Sequence, residues 1–97
     1  SRFATAWLNS RRTNHYEGRT RLLAELSSRG IGMEEAAAAL DEFFSENDEE
    51  EICRKAYKKL LKSGKRDEKL VNAMIKAGFS YKMVKNIISE EETTHEN

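Results

Sequence analysis

The sequence predicts an all-α fold, two tandem three-helix repeats packed as one curved helical body, and three observations carry that prediction. First, its 97 residues contain no proline and five glycines, so little interrupts helix. Second, 38% hydrophobic residues stand at helical spacing in a chain that is 35% charged, the pattern of short amphipathic helices with wide solvated faces. Third, the chain repeats itself: shifted by 48 positions, Leu22 falls on Leu70, Ala36 on Val84, Ala39 on Ile87 and Leu40 on Ile88. The repeat is punctuated by Leu26-Ser27-Ser28-Arg29-Gly30-Ile31 and its echo from Met74 to Phe79. In both, an apolar residue is followed four positions later by glycine and at once by a large apolar residue. Glycine suits a helix end because the left-handed conformation found there penalises a Cβ, while the next side chain folds back onto the last turn. Gly30 and Gly78 are therefore read as stops that aim Ile31 and Phe79 into a core.

Six elements follow in order. Phe3, Ala4, Trp7, Leu8 and Arg11 space the apolar face of a first helix that begins almost at Ser1, the start expected of a piece of a longer chain. Asn14 to Gly18 is a polar connection. Leu22, Leu23 and Leu26 mark a second helix, stopped at Gly30. A third starts near Met33, is favoured at its N-terminus by Glu34 and Glu35, and buries Ala36, Ala39, Leu40, Phe43 and Phe44. Asp48 and Glu51 have the spacing of a capping pair for a fourth helix carrying Ile52, Ala56, Tyr57, Leu60 and Leu61 inward as far as Gly64. Asp67 opens a fifth, with Leu70, Val71, Met74 and Ile75 inward. Ser80 is the expected N-cap of a sixth that buries Met83, Val84, Ile87 and Ile88. The expected units are residues 1–47 and 48–92, with a frayed tail at 93–97 because Glu91 onward lacks apolar anchors. In the first helix, Ala6 and Trp7 align with Ala56 and Tyr57 at a shift of 50, which places a length difference in the first connection of each unit.

Several function classes lose support at this level. No apolar run reaches the roughly 20 residues that span a bilayer, and no signal-peptide pattern opens the chain, so a soluble cytoplasmic chain is expected; a monomer is expected as well. Cys53, the lone cysteine, falls among core positions and is read as a small core residue rather than a reactive thiol. His15 and His95 have no ligand partners at metal spacing, so neither metal nor cofactor is expected. No glycine run ends in Gly-Lys-Ser or Gly-Lys-Thr, and the many carboxylates sit at helix starts, so binding rather than catalysis is the expected activity.

Charge is segregated although the total is zero. Residues 1–33 hold six Arg against two Glu, 34–51 hold nine acids, 52–85 hold eleven bases against two acids, and 86–97 hold four acids, giving +4, −9, +9 and −4. In the fourth helix Arg54, Lys55, Lys58, Lys59 and Lys62 fall within an arc of roughly 140°, opposite the apolar face. Lys65 and Arg66 extend the stripe into the next loop. It serves either as a partner-binding face or as solvated surface partly paired with the acidic third helix. Arg11 and Arg12 end the first helix, where they either complement its dipole or join the binding face. Trp7, Phe43, Phe44 and Tyr57 have the spacing of core residues rather than of base-stacking platforms, and Tyr81 is expected to be partly exposed.

Gly78-Phe79-Ser80-Tyr81, after a helix bearing Leu70 and Met74, resembles the signature of the last repeat in the bacterial regulatory protein RecX family. Arg2-Phe3-Ala4, Arg11-Arg12, Gly18, Leu22, Glu25-Leu26 and Arg29-Gly30-Ile31 resemble that family's middle repeat. Arg19 stands where the family often has proline, and Ala77 where it usually has a basic residue. The resemblance implies a modulator of the RecA recombinase that binds the RecA–DNA filament and reduces its ATPase and strand exchange. Alternatives are a small basic-patch module that binds single- or double-stranded DNA, or a helical-repeat scaffold for another protein.

Overall fold

The structure is a computed structural model describing residues 2–95, with side chains described through residue 93. Among these, the helices are α1 (Arg2–Arg12), α2 (Arg19–Ser28), α3 (Met33–Glu46), α4 (Glu49–Lys62), α5 (Asp67–Lys76) and α6 (Tyr81–His95). They form an elongated body of 45 × 23 × 22 Å. None is long and apolar enough to cross a membrane.

Each repeat builds its own core. Ala4, Leu8, Leu22, Leu26, Ala36, Ala39, Leu40 and Phe43 form one cluster, and Cys53, Ala56, Tyr57, Leu70, Met74, Phe79, Val84 and Ile87 the other. Half-buried Ile52 packs against both. Three helices per cluster is the least that encloses such a core, because each contributes only one apolar stripe.

The glycine stops take the conformation expected of them. Gly30, Gly64 and Gly78 have φ of +86°, +98° and +106°. At each, the following amide bonds back to the last turn: Ile31 N to Leu26 O at 3.1 Å, Lys65 N to Leu60 O at 3.0 Å, Phe79 N to Met74 O at 3.3 Å. Carbonyls that a helix end leaves unpaired are satisfied in this way. At the starts, Met83 N donates to the Ser80 hydroxyl at 3.1 Å, as predicted. Asp48 caps α4 by accepting from Glu50 N at 3.3 Å, while the Glu51 carboxylate turns to Arg54 instead of closing a capping box.

Four expectations change. Phe3 and Ile75 are 52% and 41% exposed, because each adjoins a residue that does face the core, Ala4 and Met74, and consecutive helical side chains diverge by about 100°. Phe44, Met83 and Ile88 are half-buried rather than buried, Phe44 lying edge-on to Phe43 with ring centroids 5.1 Å apart. Burial sets the α1/α4 register at a shift of 49, with Ala4 on Cys53 and Leu8 on Tyr57; at 50, exposed Ala6 would fall on buried Ala56. Finally, α6 continues helical past Glu91, which is buried 3.8 Å from Lys58 Nζ, and Thr93 donates to Ser89 O. Residues 96 and 97 of the expected tail lie outside the described residues.

The repeats are stitched by backbone. Gly18, the N-cap of α2, has no side chain to satisfy the first amides, and the second repeat supplies acceptors instead. Gly18 N donates to Ala77 O at 2.9 Å and Thr20 N to Gly78 O at 3.2 Å, while Arg19 N donates to Glu49 Oε2 at 3.0 Å. The positive end of α2 thus abuts the negative end of α5, a favourable dipole arrangement. A Cβ on Gly18 would lie 2.5 Å from Gly78 O, so only glycine permits this approach.

Candidate partner-binding surface

The amphipathic pattern of α4 turns its apolar side to the second core and leaves Lys55, Lys58, Lys59 and Lys62 exposed on one face. That face lies against the α1–α2 connection, and together they border a crevice of about 370 Å³ lined by Thr13, Asn14, Tyr16 and the four lysines. Arg12 and Lys55 share the adjoining cleft of about 90 Å³ with His15 and Tyr16.

The structure divides the nine cations of the predicted face into two groups. Arg54 points away toward α6, bonded to Glu90 at 2.8 Å and Glu51 at 2.5 Å. Arg66 folds onto the carbonyls of Leu61 and Lys65 at 2.9 and 2.8 Å, closing the end of α4. Arg11 binds Glu17 through Nε at 2.6 Å and Nη2 at 3.0 Å. These three arginines hold structure. Lys58 lies at 3.8 Å from Glu91, a loose contact. Lys55, Lys59, Lys62, Lys65 and Arg12 make no ion pair among the described residues. The acidic third helix does not neutralise the stripe: its Asp41 pairs with Arg19 of α2 at 2.8 Å.

A buried carboxylate lines the adjoining cleft. Glu17 is 7% exposed and accepts from Arg11 and, at 2.6 Å, from Arg21 Nε. Burial alone would raise its affinity for a proton, but the hydrogen bond and charge of Arg11, joined by Arg21, outweigh burial and hold the carboxyl below its usual range. Arg21 also reaches Lys76 O across the joint at 3.3 Å. The network therefore fixes the α1–α2 connection, with Asn14 N and His15 N both donating to Arg11 O.

Other candidates resolve toward structure. Cys53 is fully buried, and burial followed by the charge of Glu49 pushes its thiol up to about 12, far from a reactive thiolate. Phe43 and Tyr57 are core, and half-buried Trp7 has Arg29 and Arg11 over its ring, their guanidinium carbons 4.7 and 5.5 Å from the ring centroid. Tyr81 is 61% exposed, as expected.

Sequence reasoning passed over Tyr16, which is 39% exposed and borders three crevices beside α4. Its signal was present: it is an aromatic residue in a polar connection, outside every helical apolar pattern. Glu17 and the contact that Gly18 makes at the joint were missed because their partners lie in other elements.

A family profile described as the second three-helix domain of RecX matches residues 1–40. Over 91 residues, 94% of this chain, the sequence is 36% identical to proteins named Regulatory protein RecX from two strains of Treponema pallidum, covering 56% of their length. The protein of that name from Amycolatopsis mediterranei is 35% identical over 92% of this chain and 54% of its own. No solved structure matches. The chain thus spans about half the length of the curated relatives it matches. With six helices in two three-helix units, the helix stops of both repeats in place and this extent of identity, the chain belongs to the RecX family of regulatory proteins.

Proposed function

We propose that this chain engages the RecA–DNA filament through the exposed lysine face of α4 and thereby reduces the filament's ATPase and strand-exchange activity. It acts by binding rather than by chemistry, as a monomer in the cytoplasm, through the units 1–47 and 48–92. The observation that carries this reading is the contrast within one stripe: Arg54 and Arg66 are engaged internally, while Lys55, Lys59 and Lys62 stand exposed and without counter-ions among the described residues. Uncompensated cations on one face concentrate positive potential, which steers association with an acidic groove or with phosphates. Co-sedimentation with RecA filaments tests it. The chain should pellet with filaments assembled on a single strand, and Lys55→Glu, Lys59→Glu and Lys62→Glu together should leave it in the supernatant. Equal pelleting of the variant would remove this face from the mechanism.

A second reading, a module for bare DNA, is favoured by the aromatic residue beside the lysines. Affinity for naked DNA that falls steeply with salt and is unaffected by RecA would select it.

A further inference from the structure

The connection between α1 and α2 carries a feature that filament docking by charge alone leaves unexplained. Tyr16 stands 39% exposed where a polar residue would serve the loop equally well. Its neighbours are pinned on both sides: His15 N donates to Arg11 O at 3.1 Å, and Glu17 is held by two arginines. The ring is thus presented from a rigid base at little entropic cost to a ligand. Lys59 Nζ lies 5.8 Å from the ring centroid, and Lys55 and Lys62 border the same crevice of about 370 Å³.

A partly exposed aromatic ring with the Lys59 ammonium over it, beside a row of lysines that make no ion pair among the described residues, combines the two elements that recognise a single strand without sequence preference. The base stacks on the ring, and its phosphates neutralise the cations. A duplex offers the phosphates but keeps its bases stacked inside, and an acidic polypeptide offers the charge but no large aromatic surface. Neither uses Tyr16. The hydroxyl of Tyr16 makes no hydrogen bond among the described residues, so it is the ring that the fold presents.

We propose that Tyr16 is a base-stacking platform for single-stranded nucleic acid, whose phosphates lie along Lys55, Lys59 and Lys62. The proposal rests on the reading of the α4 face as the binding face and names its ligand.

The test is fluorescence anisotropy of a labelled oligothymidylate, the same strand with internal abasic sites, and a duplex of equal length, titrated with the chain in rising salt. Tyr16→Ala should weaken binding of the base-bearing strand about 5- to 150-fold, the weight of one stacked base, with the salt dependence unchanged. Tyr16→Phe should bind as the parent does. The abasic strand should bind the parent as weakly as the intact strand binds Tyr16→Ala. Lys55→Glu, Lys59→Glu and Lys62→Glu together should flatten the salt dependence. Circular dichroism confirms that each variant is folded. If the lysine substitutions weaken binding while Tyr16→Ala and the abasic strand do not, the stacking role is overturned and the basic face stands. If the lysine substitutions change nothing, the face itself is wrong. A duplex bound as tightly as the strand also overturns the proposal.

Discussion

Both repeats end their second helix with the same glycine turn, yet only one of the two turns is filled. A Cβ built on Gly30 meets nothing within 4 Å, whereas one on Gly78 would lie 2.5 Å from Arg21 Cβ and 2.6 Å from its backbone nitrogen. The apolar residue after each glycine follows suit: Ile31 is half-buried and Phe79 only 2% exposed. Small and apolar side chains on α4, on α5 and just past its end, among them Ala56, Leu60, Ala73 and Ala77, receive the α1–α2 corner. In the burial register the first repeat has Trp7, Arg11, Glu25 and Arg29 at those positions, and there Trp7 is covered by two guanidinium groups while Arg29 bonds Glu25 at 2.7 Å. The same three-helix unit thus keeps a bare groove where a neighbour docks, and closes it with a cation–π lid where the described residues place none.

The largest effect expected from breaking this contrast is at the joint. Gly18→Ala should cost about 3 kcal/mol in urea denaturation, because the new methyl meets backbone that has nowhere to move. Gly30→Ala, opposed only by its left-handed φ, should cost about 1 kcal/mol. Equal losses would mean that the joint is not formed in solution. Next comes Glu17→Gln, which keeps the shape and removes the charge shared by Arg11 and Arg21, at about 2 kcal/mol. Because the folded carboxyl titrates below its unfolded value of about 4.3, its stabilisation is full above that pH and is lost as pH falls through the folded value. An acid titration of Tm should therefore show a shallower decline in Glu17→Gln than in the parent. The smallest effect is at the head of α4. Asp48→Ala should cost at most about 1 kcal/mol, since the cap bond is 3.3 Å long, and a Tm unchanged by the substitution would show the cap to be idle.

How much of this was legible depends on where the information resides. The helices and both cores were readable because apolar periodicity and the glycine stops are local signals, present in the residues from Leu22 to Ile31 and again from Leu70 to Phe79. The α1 register was not, because the identity of Ala6 with Ala56 is a weaker guide than burial. The joint was invisible: a bond from Gly18 N to Ala77 O leaves no side-chain pattern, only a glycine that resembles any other. Likewise the α4 stripe could be drawn on a helical wheel, but not divided into occupied and free cations. Arg54 is spoken for by Glu90, which lies 36 residues away. Tyr16 acquires meaning only when the loop folds against Lys59.

We propose that the unpaired lysines, and not the internally bonded arginines beside them, face the filament. This is tested most directly by titrating RecA ATPase on single-stranded DNA with this chain. In one variant Lys55, Lys59 and Lys62 are changed to Glu, and in the other Arg54 alone is changed to Gln. Loss of inhibition in the lysine variant, with the Arg54→Gln curve unchanged, is the predicted result. Undiminished inhibition by the lysine variant would contradict it.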